Sequence, residues 1–83
     1  MTRRAELQHL ELRFKNTLKK CAGKPNECKL FMMVYSNLVD AVEEFYSANI
    51  KNPIICVGFN QAYQKMFNKL LSLERSLINR KII

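Results

Sequence analysis

The stretch from Cys28 to Tyr46 is the feature that most limits how this chain can fold. Its apolar residues recur every three or four positions, which is the spacing of one face of an α-helix. This face consists of Cys28, Phe31, Tyr35, Leu38, Val42 and Phe45. A second stripe beside it consists of Met32, Tyr35, Val39, Val42 and Tyr46. Because one partner helix cannot cover so wide an arc, the stretch is predicted to be the central helix of a bundle.

Two further stretches with the same spacing flank the central one. The first, residues 3–22, has one apolar face made of Leu7, Leu10, Phe14, Thr17 and Cys21. The third, residues 53–80, has an apolar face made of Cys56, Phe59, Tyr63, Met66, Leu70, Leu73 and Leu77. Ile55 is expected to extend this face. The central helix is predicted at about residues 27–48, and the two short connections make consecutive helices antiparallel. The fold class is therefore predicted to be all-α, with residues 1–83 forming a single up-down-up three-helix bundle.

Residues at the expected helix ends support these boundaries. Thr2 is suited to cap the first helix, and Gly23 is placed to end it in a left-handed conformation. Asn52 followed by Pro53 is a strong start signal for the third helix, because Asn caps and Pro occupies the first helical position. The alternative is a start near Phe59, since the four residues after Pro53 are β-prone; the earlier start is preferred.

The residues that carry chemistry are few. With two glycines in the chain, there is no glycine-rich phosphate loop, and the single His9 leaves little scope for metal binding or acid–base catalysis. Cys21 and Cys28 are predicted at one end of the bundle and Cys56 at the other, about 30 Å away, so they cannot share one metal ion. Oxidation could join Cys21 to Cys28 across the short turn. We expect no enzymatic activity, no metal and no cofactor.

The net charge of +7, from 14 basic and 7 acidic residues, favours an acidic partner such as nucleic acid, an anionic membrane surface or an acidic protein. A surface charge that only keeps the chain soluble is the simpler alternative. The residues predicted to contact an acidic partner or nucleic acid are Arg13, Lys15, Lys19, Lys20 and Lys24. Further bases that could extend this stripe are Lys65, Lys69, Arg75, Arg80 and Lys81. No base-reading element is visible, so nucleic-acid binding would be independent of sequence and sensitive to salt.

The apolar residues of the second and third helices exceed what the narrow face of the first helix can cover. Self-association would bury the excess, and a homo-oligomer, either dimer or tetramer, is therefore predicted. The predicted oligomer interface consists of Met32, Val39, Tyr46, Phe67, Leu71 and Ile78. Leu12 and Met33 fall among polar residues of their helices and are predicted to dock another protein.

The longest run without a polar residue, Leu30 to Tyr35, is far shorter than the ~20 residues of a membrane span. The N-terminus lacks the apolar region of a secretory signal, so a cytoplasmic location is expected. Frequent Lys and Asn and the absence of Trp are typical of AT-rich genomes such as those of many phages, which would place the protein in the host cytoplasm. The function expected is a non-enzymatic regulatory or adaptor protein, such as a phage or mobile-element accessory factor, that oligomerises and binds another protein. The alternative is a sequence-nonspecific nucleic-acid-binding protein.

Overall fold

The computed structural model describes residues 5–83, and within that range it contains three α-helices and no strand. These helices are α1 (Ala5–Ala22), α2 (Lys29–Ser47) and α3 (Pro53–Asn79). The all-α prediction is confirmed, and the two later helices begin and end within about two residues of their predicted bounds. Residues 3 and 4 of the first predicted helix, and the cap expected from Thr2, lie outside the described residues.

Contacts between helix ends give the direction of each helix. The Tyr46 hydroxyl, near the end of α2, donates a 2.7 Å hydrogen bond to Glu6 Oε1 at the start of α1, so these helices are antiparallel. Phe45 stacks on Phe59, near the start of α3, with the ring centroids 4.0 Å apart. The α2 and α3 helices are therefore also antiparallel, and they form the most closely packed pair in the bundle. The predicted up-down-up order is confirmed.

The core lies where the three predicted apolar faces meet. All five residues of the α1 face are buried. In α2 the buried residues are Phe31, Val34, Leu38 and Val42, with Cys28 buried just before the helix. In α3 the buried apolar residues are Tyr63, Leu70 and Leu77, while Phe59, Met66 and Leu73 are half-buried against them. The spacing in the sequence thus identified the inward side of each helix.

The capping residue Asn52 determines where α3 begins. Asn52 Oδ1 accepts hydrogen bonds from the backbone N–H groups of Ile54, at 2.9 Å, and Ile55, at 3.4 Å. Because Pro53 is the first helical residue, the earlier start is confirmed and the alternative at Phe59 is wrong. Ile55 is nevertheless 47% exposed, so it does not extend the buried face as expected.

The end of α1 differs from the prediction. Gly23 was expected to be left-handed, but no described glycine has a positive φ. Instead, the Gly23 N–H donates to the Lys20 carbonyl at 3.2 Å and the Lys24 N–H donates to the Cys21 carbonyl at 2.9 Å. These tight right-handed turns use the terminal carbonyls, so no left-handed residue is needed there. Among the described residues, the left-handed positions follow the other two helices: Asn49, with a φ of 55°, comes after α2, and Lys81, with a φ of 59°, comes after α3.

Candidate binding surfaces

The cysteines are packing residues in this fold. Cys21 and Cys28 are fully buried next to each other at the α1–α2 connection, and Cys56 is half-buried, with its Sγ 3.8 Å from the Ile50 carbonyl oxygen. Burial, reinforced by the neighbouring Cys28 thiol, raises the pKa of Cys21 to about 12. Cys21 is therefore protonated at neutral pH and is a poor nucleophile. Among the described residues, no three His, Cys, Asp or Glu side chains are grouped so that they could hold a metal ion.

A partly buried ion pair joins α1 to α3, and the sequence analysis missed it. The Glu74 side chain is only 9% exposed and its Oε1 lies 2.8 Å from Arg13 Nη2, while the Thr17 hydroxyl donates to Oε2. The signal was present: Thr17 is a hydroxyl on an otherwise apolar face. Glu74 itself stands four residues after Leu70 and three before Leu77, both buried. The Glu74 carboxylate is tolerated in the core because Arg13 neutralises its charge and Thr17 supplies a second hydrogen bond.

This pairing divides the predicted basic stripe. Arg13 faces α3, where the buried carboxylate offsets its charge, and Lys20, seven residues later, lies on the same side of α1. Lys15 lies on the opposite side of α1, in a groove shared with α2, and Lys19 follows it by one turn. These three lysines and Lys24, in the connection, are all exposed. The bases therefore flank α1 on two sides instead of forming one continuous stripe.

The predicted oligomer interface is divided by α1 as well. Its residues are Met32, Val39, Tyr46, Phe67, Leu71 and Ile78. The first three recur every seven positions on the α1 side of α2, where Tyr46 is hydrogen-bonded to a carboxylate of α1. The last three lie on the α1 side of α3, where Phe67 stacks on His9 with centroids 5.3 Å apart. Tyr46 and Phe67 are thus partly used within the monomer, whereas Met32, 37% exposed, and Ile78, 52% exposed, remain available.

The first of two grooves beside α1 runs between α1 and α2. This α1/α2 groove has a volume of about 600 Å³ and is lined by Gln8, Glu11, Leu12, Lys15, Leu18 and Tyr35. Leu12 is 81% exposed at its edge, while Leu18 and Tyr35 form its half-buried floor. Its lining contains one acidic and one basic side chain, so the groove carries no net charge.

The second groove runs between α1 and α3. This α1/α3 groove has a volume of about 390 Å³ and is lined by Arg13, Leu71, Glu74, Arg75 and Ile78. The charges of Arg13 and Glu74 offset each other, so Arg75 leaves the groove net positive. Two exposed or half-buried apolar residues therefore lie beside an uncompensated base.

Leu12 and Met33, predicted together as a docking patch, are not brought together. Met33 is 50% exposed and follows Leu30, 46% exposed, by three residues on the same side of α2. Leu30 lines a small cavity with Leu77 and other residues of α3, so this strip lies on the α3 side of α2. Leu12 instead belongs to the α1/α2 groove, on the other side of that helix.

A third apolar surface, which the sequence analysis did not single out, lies at the start of α3. Ile54 is 82% exposed, Val57 is 56% exposed and Ile55 is 47% exposed. The sequence signal for this surface was the apolar run that begins directly after Pro53. This run lies at an end of the bundle, where the neighbouring helices α1 and α2 also have their ends.

Known proteins do not supply an identity for this chain. No protein-family model matches it, and no match was found among curated proteins or solved structures. Within residues 5–83, no helix has both the length and the apolar character needed to cross a bilayer. The proposals that follow are therefore based on the surfaces of the bundle.

Proposed function

We propose that the protein is a small non-enzymatic regulatory or adaptor protein that self-associates and binds another protein through a helical face. The observation that carries this proposal is the exposure of Leu12, which is 81% accessible at the edge of an apolar-floored groove. Burying a Leu side chain on association contributes about 1.5–3 kcal/mol. A bundle of 83 residues has a small core, so association is a common source of additional stability at this size.

The α1/α2 groove is the surface we assign to self-association. A second copy brings an identical groove, and because Glu11 and Lys15 balance, two such surfaces approach without net repulsion. Met32 and Val39 lie on the adjoining side of α2 and extend the apolar area. The refined interface thus keeps two of the six predicted residues, Met32 and Val39, and adds Leu12 to them.

Light scattering on the purified protein tests this assignment. The unaltered protein is expected to be a dimer or tetramer at micromolar concentration, and Leu12→Glu is expected to shift it towards the monomer. Ile54→Glu is the matched control, because Ile54 is 82% exposed but lies on α3, outside the groove. A monomeric parent protein, or equal dissociation by both variants, would contradict the proposal.

Sequence-nonspecific nucleic-acid binding is the alternative function. It is supported by the net charge of +7 and by the exposure of Lys15, Lys19, Lys20 and Lys24. Fluorescence anisotropy with short DNA and RNA at two salt concentrations tests it. Tight binding at low salt that weakens by orders of magnitude at higher salt, and that Lys19→Glu with Lys20→Glu abolishes, is the expected signature.

We further propose that the protein works in the cytoplasm, as an accessory factor of a phage or mobile element. The support is compositional: Lys and Asn are abundant and Trp is absent. Two observations would test this proposal: detection of the protein in the soluble fraction of the cells that produce it, and its binding to a host protein.

A further inference from the structure

We infer that the α1/α3 groove is a docking site for an acidic amphipathic helix of a protein partner. This inference rests on the proposed function and specifies the kind of partner and the surface that binds it. The groove runs along two parallel helices, and its lining places two apolar residues of α3 beside an uncompensated base. Those are the features that recognise an amphipathic helix laid along a groove.

The two apolar residues of the lining match the repeat of a helix. Leu71 is half-buried and Ile78 is 52% exposed, and they lie seven residues, or about 10.5 Å, apart along α3. An incoming helix presents apolar side chains at positions one, four or five, and eight, which cover the same length. An incoming helix can therefore place one apolar side chain near Leu71 and another near Ile78, with both side chains on the same face.

The charges select an acidic partner. Within the lining, Glu74 is already paired with Arg13, so Arg75 is left as the uncompensated charge. Lys20 is exposed on the same side of α1 as Arg13 and adds a second base along the α1 edge. A second copy of the chain would bring positive charge against positive charge here, which disfavours self-association through this groove. A partner helix with carboxylates on both sides of an apolar stripe instead complements the bases at both edges of the groove.

The two apolar residues of the lining also argue for a protein in preference to nucleic acid. A phosphate backbone is bound through charge and hydrogen bonds and gains little from contact with Leu71 or Ile78. A helix with leucines between glutamates contacts both the bases and these two apolar residues.

The test is fluorescence anisotropy with a labelled synthetic peptide about 16 residues long, with leucines at helical spacing and glutamates on both flanks. Arg75→Glu and Ile78→Ser are each expected to weaken binding about tenfold or more. The matched controls are Lys65→Glu and Ile54→Ser, which make the same changes at exposed positions of α3 outside the groove. These controls are expected to change affinity by less than about threefold. All four residues are exposed, and circular dichroism verifies that each variant is folded.

Several outcomes would overturn the inference. One is that the peptide fails to bind at concentrations up to about 1 mM. A second is equal binding of a glutamate peptide without leucines, which would reduce the site to a charged surface. A third is that duplex DNA, but not the peptide, binds and depends on Arg75. The outcome for the groove is separable from the proposed function. A dimer sensitive to Leu12→Glu together with no peptide binding rejects only the groove, whereas a monomer that binds DNA but not the peptide rejects both.

Discussion

Replacing Arg13 by Ala tests whether the partly buried ion pair holds α1 against α3. In the parent structure the Arg13 Nη2 atom lies 2.8 Å from Glu74 Oε1, and Nη1 lies 3.5 Å from Oε2. Among residues 5–83, truncation leaves the Glu74 carboxylate, 9% exposed, with only the Thr17 hydroxyl as a partner. An unpaired buried carboxylate is costly, so the variant is expected to be destabilised.

The size of the effect follows from the exposure of the two side chains. Exposed pairs contribute about 0–1 kcal/mol, whereas breaking a fully buried pair costs about 3–5 kcal/mol. Here Glu74 is buried but the Arg13 side chain is 45% exposed, which places the expected loss near 2 kcal/mol. For a domain of this size, that corresponds to a fall in Tm of about 8–16 °C.

Urea and thermal denaturation followed by circular dichroism, at one fixed protein concentration, measure this loss. Lys19→Ala is the control, since it removes an exposed base from the same helix, and it should change the unfolding free energy by less than about 0.5 kcal/mol. The double variant Arg13→Leu with Glu74→Leu removes both charges and is expected to recover much of the loss. The reasoning is refuted if Arg13→Ala costs no more than the control, or if the double variant is less stable than Arg13→Ala.

Four further predictions concern local features of the bundle. Gly58→Ala should stabilise the fold by about 1 kcal/mol, because a Cβ there meets nothing within 4 Å and the residue is helical; a loss of stability on urea denaturation would contradict this. Asn52→Ala should cost about 1 kcal/mol by removing the cap of α3, whereas Asn52→Asp retains it; equal stability of these two variants would oppose the capping role. Iodoacetamide should modify Cys56 before Cys21 and Cys28, as read by peptide mass spectrometry. The raised pKa of Cys21, about 12 against an ordinary 9.0, also predicts that unfolding free energy falls between those pH values, since the unfolded thiol ionises first; a flat profile there would argue against it.

Periodicity was sufficient to predict the helices and their inward faces. A 3–4 spacing places side chains on one side of a helix whatever its neighbours are, and for α1 it identified every buried residue, from Leu7 to Cys21. The start of α3 was predictable for a similarly local reason. The Asn52 side chain accepts hydrogen bonds from the first backbone N–H groups of the helix, and Pro53 has a backbone angle suited to its first position. Neither effect needs a tertiary contact.

Side-chain pairing between helices was not predictable in the same way. Glu74 lies on the inward side of α3, but only the register of α1 places Arg13 and Thr17 beside it. The predicted oligomer interface had the same difficulty, because Tyr46 and Phe67 contact α1 within the monomer. How α1 sits between the other helices decides which apolar residues are left over, and spacing within one helix does not contain that information.

Sedimentation velocity, measured on the protein alone and with duplex DNA of about 20 base pairs at low salt, tests the central claim most directly. The account predicts a species with at least twice the 9.8 kDa mass of the chain, whose sedimentation coefficient does not change when DNA is added. A 9.8 kDa monomer that co-sediments with the DNA would contradict the account and assign the positive charge to nucleic-acid binding.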